Sequence, residues 1–166
     1  EIQVQVDVTV YHTSENVTIR AAAESATANS YFGIQDLKLT TALAHPSPPS
    51  PPSPPGLWHP SQIHDRFPGA TGWSGSSLDI TTCGELGTML GGYQVLADED
   101  YVEKTFTNLP FHSSLRIRFV YTRIDKLSAG VLKVDGGEVW RRSFSYLEGI
   151  QSDSTGLGSV SMCGEN

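Results

Sequence analysis

The 166-residue chain has little charge and few basic groups. Lys, Arg, Asp and Glu make up 17 % of it, against about 25 % in an ordinary globular domain. Lys and Arg number 11 and Asp and Glu 18, a net charge of −7, and the basic residues are scattered. Without a basic stripe the chain lacks the footprint of a nucleic-acid binder and an electrostatic grip on anionic membranes. No apolar run approaches the ~18 residues of a membrane-spanning helix. No stretch carries a convincing amphipathic helical period. The catalytic signatures are missing too. Gly72-Trp73-Ser74-Gly75-Ser76 lacks the last glycine of a hydrolase elbow, and no helix follows it. No glycine loop ends in Gly-Lys-Ser/Thr, so nothing cradles a phosphate. His59 and His64 are the nearest histidines, but their spacing does not suit one strand face and Pro60 intervenes, so packing or solvated roles outweigh a metal site. The chain reads as non-enzymatic, with no cofactor. It also has no initiator Met and no signal-peptide pattern, and reads as a processed or excerpted piece of a longer protein.

What is present is β-forming sequence. Residues 1–11 alternate with period two: Ile2, Val4, Val6, Val8 and Val10 on one face, Gln3, Gln5, Asp7, Thr9 and Tyr11 on the other. Residues 17–22 predict a second strand, 21–29 a small polar loop, and 30–41 a third strand built on Tyr31, Phe32, Ile34, Leu37 and Leu39. Residues 57–70 predict an irregular covering segment, and 72–75 a tight turn into a strand over 78–83. Gly84, Gly87, Gly91 and Gly92 predict turns or bulges. Short strands follow at 93–96 and 101–107. The strongest lies at 115–122, with Leu115, Ile117, Phe119 and Tyr121 on one face. Residues 131–134 and 138–142 predict a hairpin around Asp135-Gly136-Gly137, with strand continuing over 143–147. A short closing strand falls at 159–163. About ten short strands with frequent turns predict an all-β fold, a jelly-roll-like antiparallel β-sandwich.

One run interrupts this pattern. His45-Pro46-Ser47-Pro48-Pro49-Ser50-Pro51-Pro52-Ser53-Pro54-Pro55-Gly56 can join neither a helix nor an inner strand, because proline fixes φ and lacks a backbone N–H. It predicts a polyproline II linker over 45–57, spanning roughly 30 Å. The linker divides a β-strand arm, 1–44, from a β-sandwich body, 58–166. Three strands are too few to stand alone in water. The arm is therefore expected to complete a sandwich, its own or a neighbour's.

Several residues are candidate sites. Trp58, Trp73 and Trp140 could offer aromatic platforms to a sugar, or serve as packing. Asp125 and Asp135 are weak calcium candidates among turn acids that read first as solvated. Asn16-Val17-Thr18 is the one N-glycosylation sequon, because Asn108-Leu109-Pro110 fails. Cys83 and Cys163 are either buried thiols or, in an oxidising compartment, a disulfide.

The Ser-Pro-Pro repeats resemble the hydroxyproline-rich rods of green-algal and plant extracellular glycoproteins such as pherophorins and extensins. The resemblance implies hydroxyproline at Pro46, Pro48, Pro49, Pro51, Pro52, Pro54 and Pro55, and O-glycans at Ser47, Ser50 and Ser53. The body carries Gly72-Trp73, Ile80-Thr81-Thr82-Cys83-Gly84, Leu90-Gly91-Gly92-Tyr93, Lys104-Thr105-Phe106, Leu109-Pro110-Phe111-His112, Leu115-Arg116-Ile117-Arg118-Phe119, Val134-Asp135-Gly136 and Val139-Trp140. In that order they resemble a cysteine-containing β-sandwich module of algal and ciliate surface proteins, flagellar-surface proteins included. That family's closing part is similar to Val8-Thr9-Val10-Tyr11-His12-Thr13 and Tyr31-Phe32-Gly33-Ile34-Gln35-Asp36-Leu37, which here come first. Asp125-Lys126-Leu127-Ser128 departs from the family's Asp-Ser-Trp-Asp-like loop. The resemblance implies an extracellular structural subunit, on a cell surface, flagellar surface or matrix. Its partners would be other copies of itself or adjacent repeats in a filament, with covalent glycans. The alternative is a carbohydrate-binding module on a Pro-rich stalk.

Overall fold

Residue alternation becomes burial. In strand β1 (Ile2–Tyr11) Val4 and Val6 are buried, Ile2, Val8 and Val10 are half-buried, and the intervening polar residues and Tyr11 are exposed. The computed structural model describes residues 1–24, 30–43 and 62–145. After β1 come β2 (Val17–Glu24), β3 (Ser30–Ala42), β4 (Gln62–Asp65), β5 (Trp73–Gly75) and β6 (Ile80–Cys83). A single 3₁₀ turn (Gly84–Leu86) precedes β7 (Gly87–Gly91), β8 (Tyr101–Phe106), β9 (Ser114–Asp125), β10 (Ala129–Val134) and β11 (Gly137–Ser143). Among the described residues all ladders are antiparallel.

The strands form two sheets, an all-β sandwich. One has the order β1-β9-β3-β7-β6, with β4 also paired to β3; the other has the order β11-β10-β2-β8-β5. The core between them takes Val4, Val6, Phe32, Ile34, Leu37, Leu39, Leu115, Ile117, Phe119 and Tyr121 from the first sheet. The second supplies Val17, Ile19, Ala21, Val102, Leu132 and Val134. Tyr121 sits at its centre, stacked on Phe32 at 5.3 Å and flanked by Trp140 and Phe144. Its hydroxyl donates to the Ala22 carbonyl at 3.0 Å, and burial pushes its phenol well above the usual range. A smaller cluster of Cys83, Met89 and Ile124 collects Tyr31, Leu86 and Tyr93 around it.

One irregularity keeps β3 in phase. Phe32 and Ile34 face the core, and so do Leu37 and Leu39, which have the opposite parity. A bulge between Gln35 and Lys38, with Asp36 at φ 54°, absorbs the extra residue. Without it the second half of β3 would turn its leucines to solvent. The β10–β11 hairpin turns on Asp135 and Gly136 at φ 49° and 82°, the paired positive φ of a type I′ turn.

Four local expectations are corrected. Residues 21–24 extend β2 instead of looping, because Ala21 and Ala23 are small enough to be buried on its inward face. Residues 62–65 form β4, held as a strand by the free half-edge of β3. Residues 93–96 lie in turns, and the strand there is β7, at 87–91. Gly91 is a glycine in this strand because its neighbours come too close for a side chain. A Cβ on Gly91, at φ 90°, would lie 2.8 Å from the Phe32 carbonyl oxygen. The strand expected over 143–147 ends at Ser143. The Ser-Pro-Pro linker and the closing strand at 159–163 lie outside the described residues.

Candidate functional site

The feature around which the molecule is organised is the joint between residues 1–43 and 62–145. β3 lies between β9 on one side and β7 and β4 on the other. β2 lies between β10 and β8. β1 borders β9 along ten paired positions, Ile2↔Arg123 to Tyr11↔Ser114. Removing residues 1–43 would therefore cut the second sheet in two and leave β9 without either neighbour.

Charged pairs mark the register across the joint. Arg116 grips Asp7 with two bonds, at 2.8 and 2.6 Å. Arg20 meets Glu103 at 2.7 Å, and Arg141 meets Glu24 at 2.7 Å. These exposed pairs contribute little stability one by one. The bond from Arg116 holds the Asp7 carboxyl below the usual carboxylate range. His64 on β4 hydrogen-bonds Asp36 at the β3 bulge, and with Lys38 it lowers that carboxyl too.

Two histidines close one end of the joint. His12 directly follows β1, and its backbone N–H donates to the Ser113 carbonyl at 3.2 Å. His112 precedes β9. His12 Nδ1 and His112 Nε2 are 2.8 Å apart, and the ring planes differ by 7°. His112 Nδ1 lies 2.6 Å from the Pro110 carbonyl oxygen. His12 Nε2 lies 3.0 Å from Asp135 Oδ2, and Asp135 Oδ1 accepts the Thr18 backbone N–H at 2.8 Å. His12 is 8 % and His112 1 % exposed. Sequence reading missed this pair, because 100 residues separate its members and the stretches that hold them, 8–13 and 109–112, gave neither histidine a role.

The candidate residues fall in different places. Trp73 is 5 % exposed and packs on Phe67. Its indole N–H donates to Asp65 Oδ2 at 3.0 Å, so it presents no open face to a sugar. Lys104 Nζ donates to the same oxygen at 3.0 Å, and the Phe67 N–H donates to Oδ1 at 2.9 Å. Burial raises the Asp65 carboxyl, but the bonds from Trp73, Phe67 and Lys104 outweigh it and hold the group below the usual range. Trp140 is half-buried against Tyr121. Trp58 lies outside the described residues. Asn16 is exposed in the turn before β2. Asp125 ends β9 at φ 58°, and Asp135 is engaged by His12 and Thr18. Among the described residues no group of three or more His, Cys, Asp or Glu is placed to hold a metal ion. Cys83 is 2 % exposed. Its expected partner Cys163 lies outside the described residues, as do Pro46, Ser47, Pro48, Pro49, Ser50, Pro51, Pro52, Ser53, Pro54 and Pro55. No described helix is long and apolar enough to cross a membrane.

No family model, no curated protein and no solved structure matches the chain.

Proposed function

We propose that this chain is a structural, non-enzymatic subunit of an extracellular or flagellar-surface glycoprotein filament, assembled by strand complementation. Residues 1–44 of one copy complete the sandwich of the next, and the Ser-Pro-Pro linker bearing hydroxyproline and O-glycans spans the gap. The observation that supports this most is the interior position of β2 and β3, one in each sheet. A body without these strands exposes unpaired edges and apolar core, the template for donor-strand addition. The ladders are the same whether the arm comes from the same chain or from a neighbour. A stiff linker favours the neighbour, and repetition of a head-to-tail contact gives an open fibre. The Asn16 sequon, a Cys83–Cys163 disulfide and an oxidising compartment belong to the same reading.

The alternative, a carbohydrate-binding module on a Pro-rich stalk, needs exposed aromatic platforms, and Trp73 supplies none.

The register Thr9↔Arg116 supplies the test. Cysteines at both positions, oxidised in the full chain, would be expected to give a ladder of covalent multimers on a non-reducing gel. Only internally bridged monomer, at every protein concentration, would overturn assembly through the arm. Mass spectrometry of residues 45–56 from the native source is expected to show hydroxyproline and sugar increments, and unmodified prolines would remove the glycoprotein reading.

A further inference from the structure

We infer that His12 and His112 share three ring protons, so that the buried pair is a single monocation locking residues 1–43 onto residues 62–145. The geometry defines the contact. The rings lie within 7° of one plane, their centroids are 5.1 Å apart, and the nearest nitrogens are 2.8 Å apart. Coplanar rings joined edge to edge at that distance make an N–H···N hydrogen bond and not a face-to-face stack.

The proton count follows from the partners. A carbonyl oxygen only accepts, so His112 Nδ1, at 2.6 Å from the Pro110 oxygen, carries a proton. An ionised carboxylate only accepts, so His12 Nε2, at 3.0 Å from Asp135 Oδ2, carries another. The N···N contact requires a third. Two neutral imidazoles carry one proton each, so the pair holds one extra proton and one positive charge. With two protons, one of the three contacts would set bare lone pairs against each other. The third proton belongs to the rings and not to the carboxyl. Asp135 has a side chain 47 % exposed and accepts the Thr18 N–H through its other oxygen, so it faces both partners as an acceptor. Asp135 is then the counter-ion, and a buried charge that is paired and hydrogen-bonded is tolerated.

The pair sits where such a charge has consequences. His12 ends β1, Thr18 begins β2, His112 leads into β9, and Asp135 turns β10 into β11, so the chain of bonds joins both sheets across the joint. Among the described residues the charged group bonded to the rings is Asp135 from the β10–β11 turn. The contacts from the loop before β9 are the uncharged Pro110 and Ser113 carbonyls, and β2 contributes the Thr18 amide to Asp135. One charge shared by the ends of β1 and β9 is thus held against a counter-ion from the β10–β11 turn. This holds whether the arm comes from the same chain or the next.

Long-range ¹H–¹⁵N spectra of the full chain labelled at histidine test the count at neutral pH. Protons on His12 Nε2, on His112 Nδ1 and between the rings are expected, and only two protons on the pair would overturn the inference. Urea unfolding at pH 7 gives the second measurement. The His112→Gln variant, which cannot carry the charge, is expected to lower the midpoint, and an unchanged midpoint would overturn the lock. Should the variant not fold, the spectra decide alone.

Discussion

Replacing Asp65 with Asn is the most direct probe of what binds the short strand β4 to the rest of the sandwich. The carboxylate accepts three hydrogen bonds, from Trp73 and Lys104 at Oδ2 and from the Phe67 amide at Oδ1. An amide has one oxygen. If that oxygen keeps the Phe67 N–H, its NH₂ faces two donors, the buried Trp73 indole and the Lys104 ammonium. A hydrogen bond to a charged group contributes about 1.5–3 kcal/mol, and an unsatisfied buried donor costs about 1–3 kcal/mol. Lys104 retains the Thr71 carbonyl at 3.0 Å, which offsets part of the loss. The expected destabilisation is about 2–4 kcal/mol. With a urea slope of about 2 kcal/mol/M, the midpoint falls by about 1–2 M. Urea titration followed by tryptophan fluorescence reads this directly. The pH dependence has a definite sign. Asp65 is held below its usual range when folded, while an unfolded Asp titrates near about 3.9. Its stabilisation is complete above that value and is lost as pH falls through the lower folded one. The gap between wild type and Asp65→Asn should therefore close progressively below about pH 4. A gap under about 0.5 kcal/mol at pH 7, within the ordinary scatter of surface substitutions, would refute the account. So would a gap that stays constant down to pH 3.

Two further substitutions address the core around Tyr121. In Gly130→Ala the new Cβ would meet the Tyr121 ring at 2.7 Å. Phe32, Trp140 and Phe144 leave that ring little room to retreat, so a loss of about 1–3 kcal/mol is expected in urea unfolding. Wild-type stability would show that β10 can shift. Tyr121→Phe deletes only the hydrogen bond to the Ala22 carbonyl, and should cost about 0.5–1.5 kcal/mol with the fold unchanged by circular dichroism. A loss of several kcal/mol would mean that the hydroxyl has partners besides that carbonyl.

The strand content of the sandwich was readable in the sequence because strand burial is a local, period-two property. Val4 and Val6, or Leu115, Ile117 and Phe119, alternate with polar neighbours whatever sheet they join. The β10–β11 turn was readable for the same reason, since Asp135-Gly136-Gly137 supplies residues that accept positive φ. The β3 bulge was present in the sequence as a change of parity between Ile34 and Leu37. β7 was obscured by its glycines, which mark close backbone approach as often as they mark turns. Which strands pair was decided by the tertiary structure alone. Burying the apolar faces of both sheets together requires β2 and β3 to enter different sheets, and nothing local distinguishes them. The His12–His112 pair and the Asp65 clamp are legible only in three dimensions. The pair joins residues 100 apart, the clamp adds Lys104 to two donors close by in the chain, and the need to satisfy buried polar groups acts between neighbours in space.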